Sequence, residues 1–138
     1  MTERTTNILL VDDDEIDVMN VRRAFEKGKI ENPLFHACDG LAALDMLRDG
    51  TVPTERRLVL LDINMPRMNG IEFLRELRAA PTLRGISVVV LTTSDEERDR
   101  MEAYGLHVAG YLVKPVRFLA FVDLMTTLNR YWSLMEMT

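Results

Sequence analysis

At 138 residues, with 47% apolar and 28% charged side chains, the chain has the composition of one ordinary globular domain with room for a full core. A net charge of −5 argues against a nucleic-acid binder, which usually carries a basic patch or stripe, and no apolar stretch approaches the roughly 20 residues of a membrane-spanning helix. The polar start, Met1 to Thr6, has no signal-peptide core, and a single cysteine, Cys38, excludes an internal disulfide framework, so a cytoplasmic setting is expected, with Cys38 as inert packing beside a strand.

Asn7–Val11 is a short apolar run that reads as a buried strand of a parallel sheet. A helix over Glu15–Lys27 puts Val18, Val21 and Phe25 on one face. Leu34–Ala37 is a shorter strand, entered from the turn Asn32-Pro33 and expected at an edge. A second helix, Leu41–Arg48, has Leu41, Leu44 and Leu47 apolar and ends at Gly50, before a polar loop over Thr51–Arg57. The third strand is Leu58–Leu61, followed by a turn over Met65–Gly70 and a helix over Ile71–Arg78. Ile86–Leu91, rich in β-branched residues, is a strand expected inside the sheet. Ser94 followed three residues later by Glu97 has capping-box form and opens a helix to about Tyr104. Gly110–Val113 is the fifth strand, and Phe118–Arg130 is the last helix, with Phe121, Leu124, Met125 and Leu128 spaced for burial. Alternating units of this length imply one α/β domain, a doubly wound (βα)5 parallel sheet with helices on both faces.

Asp12-Asp13, Asp62 and Lys114-Pro115 each follow directly on a strand. Ligands of open α/β sheets bind outside the carboxyl ends of the strands, so these side chains are expected to share one pocket. Carboxylates gathered there repel one another, and a divalent cation is the usual remedy; an all-oxygen site of this kind suits Mg²⁺ or Mn²⁺ better than zinc. His36 and His107 lack metal-ligand spacing and read as surface or strand-end residues. Asp62 is the candidate nucleophile, since a carboxylate can attack phosphorus to give an aspartyl-phosphate. Lys114 supplies a compact positive charge opposite the metal, and Thr92 offers a hydroxyl to a phosphoryl oxygen. Each piece also has an ordinary reading: Asp12-Asp13 as a helix cap, Asp62 and Lys114 as solvated turn residues, Thr92 as the start of a loop. Their joint placement at strand ends favours the site.

The motifs Leu10-Val11-Asp12-Asp13, Leu61-Asp62-Ile63-Asn64-Met65-Pro66 with Asn69-Gly70, Leu91-Thr92-Thr93, and Gly110-Tyr111-Leu112-Val113-Lys114-Pro115 closely resemble the receiver domain of two-component response regulators. The resemblance covers roughly Asn7 to Arg130 and implies a flavodoxin-like fold with strand order 2-1-3-4-5. It implies that Asp62 accepts a phosphoryl group from a histidine kinase. It also implies that Asp13 and Asp62 bind Mg²⁺ by side chain, Asn64 by its backbone carbonyl and Asp12 largely through water. Thr92 and Tyr111 match the family's switch pair, which reshapes the face of the fourth helix, fifth strand and fifth helix for partners. Thr93 stands where many members have alanine, and Asn64 and Ser94 occupy positions that tune dephosphorylation.

The chain ends soon after the fifth helix, which reads as a stand-alone receiver over 1–130 with an apolar extension over 131–138. That extension, Tyr131 to Thr138, is expected to join two copies through the last helix, the fifth strand and the arm itself; packing on its own domain is the plainer reading. The loop Arg48–Arg57, the segments Asp95-Glu96-Glu97 and Gly105-Leu106-His107-Val108 and the ending Tyr131-Trp132 resemble the small regulators paired with bacterial phytochrome kinases. Two alternatives compete. A Mg²⁺-dependent phosphohydrolase commonly carries a second aspartate two residues after the nucleophile, where this chain has Asn64, and it would need a cap insertion. A degenerate scaffold would not need Asp12, Asp13, Asp62, Thr92 and Lys114 together.

Overall fold

Successive side chains of a strand point to opposite faces of the sheet, and in this chain both faces are apolar. A computed structural model describes residues 6–54, 56–62, 70–92, 105, 108–113, 117, 119–124 and 126–127. In chain order the elements are β1 (Asn7–Val11), α1 (Glu15–Lys27), β2 (Leu34–Ala37), α2 (Gly40–Arg48), β3 (Arg57–Asp62), α3 (Gly70–Ala79), β4 (Ser87–Thr92) and β5 (Gly110–Val113). Residues 119–124 and 126–127 are also helical, within the predicted last helix. The predicted helix after Ser94, His107 and the extension 131–138 lie outside the described residues. No helix among the described residues is long and apolar enough to cross a membrane.

All pairings are parallel and the order is β2-β1-β3-β4-β5, the flavodoxin-like arrangement. Leu9, Val11, Val59, Leu61, Val88 and Val90 turn to one face, where they meet Leu44 and Leu47 of α2 and Phe73, Leu74 and Leu77 of α3. Ile8, Leu10, Leu58, Leu60, Val89 and Leu91 turn to the other, against Val18, Val21 and Phe25 of α1 and against Phe121. The Phe25 and Phe121 rings lie 4.6 Å apart between centroids and are tilted by 40°. The separation lies within the range of favourable aromatic pairs. The contact joins α1 to the last helix.

β2 is the edge strand expected from its length, and its Leu34, Phe35 and His36 are half-buried. Arg57 secures the loop before β3, donating to the carbonyls of Leu47 at 2.9 Å, Val52 at 2.6 Å and Pro53 at 3.0 Å. Arg78 does the same before β4, with Nη1 2.8 Å from the carbonyl oxygens of both Arg84 and Ile86. Burial lowers the pKa of both guanidinium groups. Gly50 ends the second helix as expected, with φ at 84°, in the left-handed region that favours glycine. Cys38 differs from expectation. It is exposed, because the chain turns out of β2 there to reach Asp39, the N-cap of α2.

Candidate functional site

Because β1 and β3 are neighbours, residues that leave their carboxyl ends arrive at one place. Val11 lies opposite Leu61, and the next residue on each strand is an aspartate, Asp12 and Asp62. Asp62 is the last residue of β3 rather than the first beyond it, paired with Leu91 of β4. Asp12 and Asp62 are 0% and 3% exposed, whereas Asp13 is open to solvent. One carboxylate oxygen from each of Asp12, Asp13 and Asp62 lies within 4.8 Å of the other two.

Hydrogen bonds shape the turn after β1. The Asp12 N–H donates to the carbonyl of Ala37 at 3.1 Å, which prolongs the β1–β2 ladder past the strand. The Asp14 N–H donates to Oδ1 of Asp12 at 2.9 Å, and the Asp14 carboxylate accepts from the Ile16 N–H at 2.8 Å as the N-cap of α1. Nε2 of His36 lies 2.8 Å from the Asp12 carbonyl oxygen. The sequence offered Asp12-Asp13 as a helix cap, but Asp14 takes that role, while Asp12 and Asp13 stand ahead of the helix beside Asp62. Asp14→Ala is therefore expected to cost about 1 kcal/mol of stability in urea unfolding, with divalent-ion affinity at the wild-type level.

Negatively charged carboxylates this close repel one another unless positive charge is supplied. Oxygen donors with an open solvent side suit a hard divalent cation that keeps several waters. The donor set fits Mg²⁺ or Mn²⁺ and would not favour zinc. Thr92 closes β4 and pairs with Val113 of β5. Tyr111 pairs with Val90, is half-buried, and packs against the cluster on the α2–α3 face. Asn64 and Lys114 lie outside the described residues. Sequence reasoning missed the roles of Asp14 and His36. Nothing local announced the His36 contact, because it depends on the β1–β2 register that places Leu10 opposite His36.

Residues 8–126 match the family model of the response regulator receiver domain. The probable methanogenesis regulatory protein FilR2 of Methanothrix harundinacea is 39% identical over 127 residues, covering 91% of this chain and 82% of that protein. Response regulator Rcp1 of Synechocystis sp. is 37% identical over 128 residues, covering 91% of this chain and 87% of that one. A structure of the Mn²⁺-bound form of response regulator Rcp1 superposes with a TM-score of 0.66 at 36% identity, over 92% of this chain and 94% of that one. The bacteriophytochrome response regulator RtBRR superposes with a TM-score of 0.80 at 38% identity, over 88% of this chain and 76% of that one. The sheet order, the acidic strand ends and these matches agree: the chain belongs to the response regulator receiver domain family, a phosphoryl-accepting module of two-component signalling with a histidine kinase as partner and a divalent metal ion as cofactor.

Proposed function

We propose that Asp62 is the phosphoacceptor and that Mg²⁺, or Mn²⁺ in its place, is held by the side chains of Asp13 and Asp62, the backbone carbonyl of Asn64 and, through water, Asp12. The observation that carries this reading is the convergence of Asp12, Asp13 and Asp62 within 4.8 Å at the carboxyl ends of two adjacent strands. An oxygen of Asp62 bonds to phosphorus as the P–N bond of the donor phosphohistidine breaks, and the electron pair returns to the imidazole nitrogen. Water later cleaves the acyl phosphate and restores the carboxylate. A divalent cation held there by Asp13 and Asp62 would supply the positive charge that neutralises phosphoryl oxygens during the transfer. Lys114 and Thr92 act on the same oxygens by charge and by hydrogen bond, and Tyr111 with Thr92 forms the switch. The protein catalyses its own phosphoryl transfer and slow dephosphorylation and is otherwise a binding module.

The donor we propose is a bacterial phytochrome kinase. The likeness to RtBRR and to the phosphorylated cyanobacterial phytochrome response regulator RcpA, with a TM-score of 0.71, 30% identity and coverage of 93% of this chain and 94% of that one, supports it. The setting is cytoplasmic, consistent with one cysteine, and neither nucleic acid nor membrane is a partner, consistent with a net charge of −5.

Residues 1–130 form the receiver, and 131–138 an arm that helps two copies join through the last helix and β5. Support comes from Leu119 and Val122, exposed to 66% and 38% on the helix that buries Phe121. Apolar side chains left in solvent commonly mark an interface. Deleting the residues after Arg130 is expected to weaken self-association in sedimentation; an unaltered dimer removes the arm. Intact-protein mass after incubation with acetyl phosphate tests the phosphoacceptor reading: one phosphoryl group should appear with Mg²⁺ and none without it.

A further inference from the structure

We propose that His36 is a positioning residue for the metal site: its imidazole fixes the carbonyl of Asp12, and through that peptide plane the carboxylate of Asp13. The proposal rests on the reading of Asp12, Asp13 and Asp62 as the cation site. His36 belongs to the edge strand β2 and faces Leu10 of β1 in the register. Its neighbour Leu34, two residues earlier, packs with the α1 cluster, so the alternation of the strand puts His36 on the α1 side of the sheet. The β1–β2 ladder continues to Asp12 through its N–H bond to Ala37, after which the chain of β2 departs toward the Asp39 cap. The carbonyl of Asp12 accepts from a side chain, Nε2 of His36 at 2.8 Å. A carbonyl oxygen only accepts, so Nε2 carries the proton.

The consequence is geometric. The carbonyl carbon of Asp12 and the nitrogen of Asp13 share one rigid peptide plane. Anchoring that oxygen restricts rotation of the plane, and with it the position from which the exposed Asp13 reaches Asp12 and Asp62. The Asp14 N–H on Oδ1 of Asp12 holds the side chain of the same residue. A site assembled from repelling carboxylates binds its ion more tightly when the donors are already in place, and partners that orient metal ligands commonly contribute an order of magnitude or more in affinity.

The test is titration of Mn²⁺ into the intact protein, with the free ion read by electron paramagnetic resonance, alongside urea unfolding of each variant. His36→Phe keeps a ring suited to a half-buried edge strand and removes the donor; His36→Leu serves the same purpose if His36→Phe does not fold. His36→Gln restores a side-chain N–H of comparable reach. Loss of the donor is expected to weaken Mn²⁺ binding about tenfold, and His36→Gln to recover most of that loss. Wild-type affinity in the donorless variant overturns the proposal. Equal weakening in His36→Gln and His36→Phe overturns it as well, because packing would then account for the loss. Asp13→Asn distinguishes the two levels: wild-type Mn²⁺ affinity in that variant removes the cation site itself.

Discussion

Asp62→Asn is expected to gain no phosphoryl group from acetyl phosphate while keeping the wild-type fold. The amide matches the carboxylate in shape but lacks the anionic oxygen that attacks phosphorus, so the loss should be essentially complete rather than graded. The substitution also takes one charge from three carboxylates whose oxygens lie within 4.8 Å of one another. Relief of that repulsion should leave the urea midpoint of the metal-free protein equal to the wild type or above it. Intact mass and unfolding on the same sample separate the outcomes. Stoichiometric labelling of Asp62→Asn would move the phosphoacceptor elsewhere, and a collapsed midpoint would mean that the carboxylate serves the fold.

The largest expected change in stability lies away from the chemistry. Phe121 is fully buried, its ring 4.6 Å from that of Phe25, in the cluster that also holds Leu91 of β4 and Leu112 of β5. Phe121→Ala should cost about 3–5 kcal/mol, from lost transfer energy and from a cavity that the rigid sheet beneath cannot close. The aromatic contact adds about 0.5–1.5 kcal/mol to what area alone supplies. Against a total of roughly 5–15 kcal/mol for a domain of this kind, such a loss approaches unfolding at ordinary temperature. Urea denaturation with an unchanged slope measures it, and a cost below about 1 kcal/mol would contradict the packing. Phe121→Leu, which leaves a smaller void, should fall between the two.

Much of this architecture was legible in the sequence. β1, α1, β2 and β5 have the bounds that apolar runs and helical spacing predict, and the acidic strand ends converge where the topology requires. Mismatches are of one residue at element ends: β4 is Ser87–Thr92 rather than Ile86–Leu91, and α3 is Gly70–Ala79 rather than Ile71–Arg78. Arg57 and Asp62 join β3 because pairing, through Asn7 opposite Arg57 and Asp62 opposite Leu91, decides where a strand stops. An apolar run does not report that. Gly40 likewise enters α2 because Asp39 caps it, accepting from the Ala42 N–H at 2.8 Å. His36 was the hardest to see, since its contact joins strands across a register that no local pattern encodes, and the cap falls on Asp14 rather than on Asp12-Asp13 because α1 begins at Glu15.

The acidic site draws on β1 and β3, strands separated in the chain by α1, β2 and α2. An unfolded chain does not hold Asp13 beside Asp62, so a cation bound at the proposed site would be a ligand of the native state alone, and its binding free energy would add to that of folding. At a hundredfold excess over its dissociation constant the addition is about 2.7 kcal/mol. On the proposed reading, the durability of the domain would follow its ionic surroundings: carboxylates that burden the bare protein would become a clasp between distant parts of the chain once the ion is present.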